Sequence, residues 1–425
     1  MTSPQASSAR IPALDGWRGV AFHALIFFFA VAIVIARRPD AVFRAQFYAE
    51  DGQIWFADAY NQGWWRSLFQ PHTGYFQTLP RLAVGFALLV PFSRAPLVLN
   101  SIAIAFQAMP AVLLISPRSS EWGTLRFRAA LAAMYLALPN NFEISMGITE
   151  SQWILVLISV ILVEASTPQT TRGKAFDASI LTLSGLTGPF CLPLLLIAVF
   201  AYWTRRDPWR RVQLCIIAAA CLVQLCGLLI VDPNGRNTPP LGATPEWFIR
   251  ILSGQVYLGA LLGPNQLSLG HGRPFFIFLL CVAILGTVLI AKCVAKSSMN
   301  LRLFLIFSAI LFTLSLASPI AYPPPGQTKW EMIAAAHSIR YWFFPTLAFA
   351  WSLLWCARSQ SKSARIVSRV LLFLMCFGVV RDFRHPPFVD EHFAAYAQQV
   401  ESASPGEEIN IPENPRGWKM QLVKR

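Results

Sequence analysis

Eleven stretches of this 425-residue chain are apolar for long enough to cross or nearly cross a bilayer, and Lys and Arg gather in every second connection between them. A hydrocarbon layer about 30 Å thick takes about 20 helical residues, fewer where helices are short or tilted. The runs fall near residues 20–36, 96–115, 127–139, 152–165, 176–187, 189–203, 211–231, 274–291, 302–318, 340–357 and 366–380. Inside lipid a backbone can hydrogen-bond only to itself, so such runs must coil. The expected fold is an all-α polytopic membrane protein with about eleven transmembrane helices. Composition agrees: 55% of residues are hydrophobic and 13% charged, against about 25% charged in soluble domains.

Two more apolar stretches, 79–92 and 247–264, would break the alternation of basic loops if they crossed, so they are expected at the outer interface as juxtamembrane or re-entrant helices. With that assignment the inner segments (1–19, 116–128, 166–177, 204–211, 292–302 and 358–369) carry 18 of the 35 Lys and Arg. They carry 5 of the 21 acids, Glu164 included, which leaves +13 inside and +1 outside. The formal charge of +14 is therefore a topology signal, and it removes the basis for a nucleic-acid partner. The first span is followed by Arg37, Arg38 and Pro39 without a small-residue cleavage site. It reads as a retained signal anchor with a cytoplasmic N-terminus. The eight cysteines lie in or beside apolar runs with no metal-ligand spacing, so neither a disulfide framework nor a metal site is expected.

The chemically interesting residues then collect outside, in a first loop (37–95), Asn140–Gln152, the break at 185–189, 232–273, 319–339 and a polar tail. The expected domains are a membrane domain over 1–380 and a short extracytoplasmic tail over 381–425 lying over the first loop. No internal repeat is visible, which argues against many secondary-transporter designs.

Glu50 and Asp51 follow the first span directly. Adjacent carboxylates at a membrane surface raise one another's pKa unless a cation or ligand intervenes, which suits a general base; they would equally suit a helix N-terminus. Asp58, seven residues on, falls on the same helical face in a structural or acceptor-binding role. His72 and Tyr75 flank a turn at Thr73–Gly74, where side chains either enter a cleft or stay on the surface. Arg81, at the mouth of an interfacial helix, either binds a lipid phosphate or snorkels to headgroups. Glu143 and Glu150, among Asn140, Asn141, Thr149, Gln152 and Trp153, are expected to line a cavity, although Thr149 or Ser151 also suits a helix cap. His337, Arg340 and Tyr341 open a late span. The guanidinium is either part of an aromatic belt or a bidentate phosphate ligand in a partly dry site.

With Glu50-Asp51-Gly52, Gly74-Tyr75, Pro80-Arg81, the break Gly185-Leu186-Thr187-Gly188-Pro189, Arg340-Tyr341 and Asn414-Pro415-Arg416-Gly417-Trp418, the chain resembles GT-C integral-membrane glycosyltransferases. It is most similar to bacterial members with a Glu-Asp-Gly first loop. The resemblance implies a sugar donor on a polyprenyl phosphate, a glycan, lipid or cell-envelope acceptor, and an inverting displacement on the exterior face of a bacterial plasma membrane. It implies Asp51 as base, Glu50 as its partner or an acceptor ligand, and Arg340 as phosphate stabiliser; Tyr341 and Arg81 are expected beside it at the donor. Asp58, His72, Tyr75, Glu143, Glu150 and His337 would then line the acceptor side, without cofactor or metal. The chain departs from better-known members in offering Pro71-His72-Thr73-Gly74-Tyr75 where they carry a His-Pro-Pro type sequence, and in its short tail. The alternatives are a flippase or carrier for a lipid-linked sugar, and a ligase or polymerase of preassembled glycans.

Overall fold

In the computed structural model, which describes residues 17–145, 147–230, 239–270, 272–335 and 339–425, every one of the eleven apolar runs carries a helix. In chain order the helices used below are α1 (Trp17–Arg37), α2 (Thr78–Ala87), α3 (Ala95–Ile115), α4 (Leu125–Leu136), α5 (Ser151–Glu164), α6 (Thr171–Gly185) and α7 (Cys191–Arg205). They continue as α8 (Pro208–Ile230), α9 (Gly272–Lys296), α10 (Met299–Ala317), α11 (Lys329–Ala334), α12 (Phe343–Cys356), α13 (Lys362–Asp382) and α14 (Phe393–Ser402). The chain is thus an all-α polytopic membrane protein.

Among the described residues six helices are long and apolar enough to cross a membrane: α1, α3 with its lead-in from Phe92, α8, α9, α10 and α13. Two of the shorter ones, α5 and α12, are explained by burial. Every residue of α5 is buried, and α12 is buried at twelve of its fourteen positions. A helix apolar on all sides belongs in a protein interior. α1 instead leaves Val20, Leu25, Phe28 and Phe29 exposed, the pattern of a helix facing hydrocarbon.

One end of the bundle gathers cations. Arg118 pairs with Asp177 at 2.6 Å, Arg205 pairs with Glu121, and Asn300 Nδ2 donates to the Glu164 carbonyl at 3.1 Å. The short connections expected to be basic are therefore together, and part of their charge is used to tie helix ends.

The segment 247–264, expected at the interface as a juxtamembrane or re-entrant helix, is a continuous coil through Pro245–Arg250, the π-helical Ile251–Leu258 and Gly259–Leu262, with no buried residue in its first part and most residues buried from Ile251 onward. It packs on α9, α12 and α13. Its polar residues find protein partners: Ser253 Oγ donates to Leu279 O (2.6 Å) and Gln255 Nε2 to Ala334 O (2.6 Å). Water or headgroups are then unnecessary. The stretch 79–92 forms α2, ten residues long, which packs on α3.

The tail folds as α14 and a hairpin, β1 (Glu408–Glu413) and β2 (Trp418–Val423), in register from Glu408↔Val423 to Glu413↔Trp418. Period-two alternation turns Ile409, Ile411, Met420 and Leu422 inward. They share one core with Phe47, Trp55 and Phe56 of the first loop and Phe393 of α14. The same alternation turns Glu413 inward.

Candidate functional site

Arg37 ends α1 and donates to Leu136 O, Leu138 O and Asn141 Oδ1, each at 2.9 Å, while Arg38 reaches Ser145 O at 2.7 Å. These buried cations fasten the first loop to the segment 136–145. The loop then meets the tail: Ala49 N donates to Asn414 O at 2.6 Å, and Ala49 sits at φ +48, a left-handed conformation that costs roughly 1–2 kcal/mol for an L-residue. A π-helical segment, Asp51–Phe56, follows. The kink and the onset of the helix send the two acidic side chains in different directions.

Asp51, expected as the base, is 2% exposed and does not line the cavity. It binds the turn that leads into α5: Oδ2 accepts from Ile148 N (3.0 Å), while Oδ1 accepts from Thr149 N (3.1 Å) and Thr149 Oγ1 (2.6 Å). Trp55 Nε1 donates to the same hydroxyl at 2.7 Å. Burial pushes Asp51 up to about 7, against the pull of these donors. Behind it the inward Glu413 lies so close to Gly52 that a Cβ there would overlap its carboxylate. Burial, then repulsion from Asp51, pushes Glu413 up to about 9.

Glu50 faces the other way, into a cavity of about 310 Å³. His72, Tyr75, Glu150, Gln152, Arg340 and Tyr341 share its polar wall. The remaining lining is mostly apolar, with Phe190, Leu192 and Pro193 at the start of α7, Leu228 of α8, and Leu311 and Leu314 of α10, beside the hydroxyls of Ser315 and Ser318. The break at 185–189 is held to the first loop. Gln77 and Thr187 form a bridge, Gly188 N donates to Phe76 O (2.9 Å), and Gln224 holds both the amide and the carbonyl of Phe76. Gly188 has φ +81 and lies against Gln152, with no room for a Cβ.

The electrostatics of the polar wall centre on Arg340. Its guanidinium pairs with Glu143, its backbone N–H donates to Glu143 Oε2 at 3.0 Å, and Glu150 Oε1 lies 3.8 Å from Nη1. Burial lowers the Arg340 pKa, but the two acids outweigh it and hold it well above its ordinary value. Burial pushes Glu150 up to about 8 despite Arg340. Burial also holds Glu50 above the usual carboxylate range, with its own backbone N–H and Arg340 pulling back. His72 is lowered by burial and by Arg81, so its imidazole is neutral; it sits edge-on to Trp55 at 5.1 Å. Three wall residues keep polar atoms without a hydrogen-bond partner: Glu150 Oε2, Trp153 Nε1 and Gln77 Oε1.

The structure thus brings together Glu50, His72, Tyr75, Glu150, Arg340 and Tyr341. Glu143, expected on the lining, stands behind Arg340 as its counter-ion. Arg81 and Asp58, expected at donor phosphate and acceptor, bond to each other at 3.2 Å instead, and Arg81 lies over the Trp55 ring at 4.9 Å. Neither reaches the cavity. His337 lies outside the described residues. Trp55 and Gln77 line the site without having been singled out from sequence; Trp55 is a member of the aromatic run after the acidic pair, and no local pattern marks it. Among the described residues no three His, Cys, Asp or Glu converge as metal ligands.

No protein family matches the chain, and no curated protein matches it. Among solved structures it is similar to the archaeal oligosaccharyltransferase AglB from Archaeoglobus fulgidus, determined with an inhibitory peptide and a dolichol-phosphate, with a TM-score of 0.35 and 11% identity. That similarity covers 91% of this chain and 59% of the other, so the chain spans well under two thirds of the oligosaccharyltransferase.

Proposed function

We propose that this protein is a GT-C-type membrane glycosyltransferase that moves a sugar from a polyprenyl phosphate to an acceptor hydroxyl on the extracytoplasmic face. The observation that carries this reading is the mixed lining of the cavity. Two carboxylates and one guanidinium, Glu50, Glu150 and Arg340, line it together with the apolar Phe190, Leu192, Leu228, Leu311 and Leu314. A prenyl chain would occupy the apolar part and bring its phosphate to Arg340. Pockets of roughly 300–1,000 Å³ with apolar walls and a few convergent polar groups are the usual form of small-molecule sites.

In this mechanism Glu50, rather than the buried Asp51, takes the proton from the acceptor hydroxyl. The hydroxyl oxygen attacks the anomeric carbon as the carbon–oxygen bond to phosphate breaks. The electron pair of that bond leaves on the phosphate, and Arg340 stabilises the charge that grows there. Glu150, whose pKa burial raises, would in its protonated form donate a hydrogen bond to the phosphate instead of repelling it. Asp51 and Glu413 hold the first loop behind the base.

The test is sugar transfer by purified protein in lipid nanodiscs, supplied with a panel of polyprenyl-phosphate sugars and read as release of polyprenyl phosphate. Glu50→Gln should lower transfer by about 10²-fold or more, the usual contribution of a positioned base, and Arg340→Gln should do likewise. Asp51→Asn should stay within about tenfold of wild type. Full activity in Glu50→Gln with loss in Asp51→Asn would return the base to Asp51. Sugar translocation without any glycosidic product would favour a carrier.

A further inference from the structure

A second cavity, of about 460 Å³, opens between the segment 247–268 and α11. Its lining is unlike that of the first: Trp247, Arg250, Gln255, Asn265, Ser268 and Glu331 supply one indole and five hydrogen-bonding side chains. Gln255 is 2% exposed; its side-chain Nε2 donates to Ala334 O at 2.6 Å, and its backbone carbonyl accepts from Asn140 Nδ2 at 2.8 Å. Its Oε1 has no hydrogen-bond partner, a buried acceptor on the wall of a polar cavity that ordinarily requires one. Arg250 is fixed near the indole, 5.7 Å from the Trp247 centroid, and Glu246 binds its Nε and Nη2. The guanidinium charge is therefore already matched, and Glu331, whose Oε2 accepts from Thr328 N at 2.8 Å, adds a second acid nearby. Such a site repels phosphates and carboxylates. Its chemistry suits a neutral, flat, polyhydroxylated ring: C–H faces for the indole and hydroxyls for the amides, Ser268 and Glu331.

We infer that this cavity binds a neutral saccharide, the part of the acceptor remote from the reacting hydroxyl. Its assignment to the acceptor rests on the glycosyltransferase reading; saccharide binding itself does not. Chain connectivity places the two cavities close together. Ala334 and Ala335 line the second and Arg340 the first, and the five peptide steps from Ala335 to Arg340 span at most about 18 Å. An oligosaccharide seated against Trp247 would have to bridge a separation of that order to present its terminal unit to the first cavity.

The experiment is saturation-transfer NMR on nanodisc-embedded protein with the methyl glycosides of glucose, galactose, mannose and N-acetylglucosamine as probes. At least one should receive saturation from the wild type. The signal should fall several-fold in Trp247→Ala and in Glu331→Gln, which keeps the oxygen that accepts from Thr328, and should persist in Glu50→Gln. Should Trp247→Ala fail to fold, Glu331→Gln decides alone. No signal with any glycoside, a signal unchanged by both variants, or one lost only in Glu50→Gln would overturn the inference. If sugar transfer is absent but the glycoside signal depends on Trp247, the saccharide site stands and only its role as acceptor site falls. If transfer is present, Trp247→Ala should raise the acceptor KM with little change in kcat.

Discussion

Replacing Asp51 by asparagine separates the hydrogen-bonding role of this carboxylate from the cost of its charge. Burial raises its pKa from 3.8 to about 7, so between those values the folded protein holds a proton that the unfolded chain has released. The stability linked to that proton is complete below about pH 4 and is lost as pH rises through about 7. The shift of about 3 units, at about 1.36 kcal/mol each, makes the loss roughly 4 kcal/mol. Asparagine does not titrate and escapes it. It fails elsewhere: its carbonyl can keep both Thr149 donors, but its NH₂ confronts the Ile148 N–H, where even a protonated carboxyl oxygen still accepts. One buried donor left unmatched costs about 1–3 kcal/mol. The variant should therefore be less stable than wild type at pH 4.5 and more stable at pH 8.5. The assay is the thermal midpoint from tryptophan fluorescence in detergent, at one fixed scan rate because unfolding of such proteins is often irreversible. Curves that run parallel across the pH range, without crossing, would mean that Asp51 titrates in the folded protein as it does in the unfolded chain, and its buried role at the turn before α5 would fall.

Three further outcomes follow from the same geometry. Gly188→Ala forces a left-handed φ of +81 on an L-residue and drives a Cβ into Gln152, so the thermal midpoint and sugar transfer should both drop; an unchanged midpoint would mean that the wall of the cavity yields freely. Ile411→Ala empties a fully buried position between tail and first loop and should cost about 2–5 kcal/mol, seen as faster proteolysis of the tail, whereas equal cleavage rates would show that the hairpin contributes little. Because burial raises Glu50 above its ordinary value of 4.5, the acid limb of the pH–rate profile should lie above that value, with transfer rising as the carboxyl deprotonates and the limb missing from the residual activity of Glu50→Gln.

The helices were legible because hydrophobic length alone dictates them in lipid, and the cationic end was legible because charge sets orientation. Depth within the bundle was not. The stretch 247–264 looks interfacial because a crossing there would break the alternation of basic loops, yet Ser253 and Gln255 let its middle be buried, since each has a carbonyl or a cavity to face. Arg37 and Arg38 looked like ordinary post-span cations. Their partners Leu136, Leu138, Asn141 and Ser145 lie about a hundred residues away, beyond anything local spacing reports. Arg81 and Asp58 misled in the opposite sense: each is the residue type that binds substrate, and across 23 residues they pair with each other instead.

The acidic pair marks where sequence reasoning stops. Both members are carboxylates, both follow a span, and either one fits a base or a helix cap. Neighbouring residues on a coil point about 100° apart, so only one of them can face a given cavity. Which one is decided by Ala49, whose left-handed φ sets the phase of the following turn, and by Thr149 and Ile148, whose donors claim whichever acid arrives first. Asp51 is the shorter side chain and sits against Gly147, with no room for a Cβ between them; a glutamate there would overrun the turn. Glu50 has one methylene more, and the cavity in front of it leaves space for that reach. Exchanging the two residues should therefore destroy both roles at once, while Glu50→Asp should keep the fold and slow only the proton transfer.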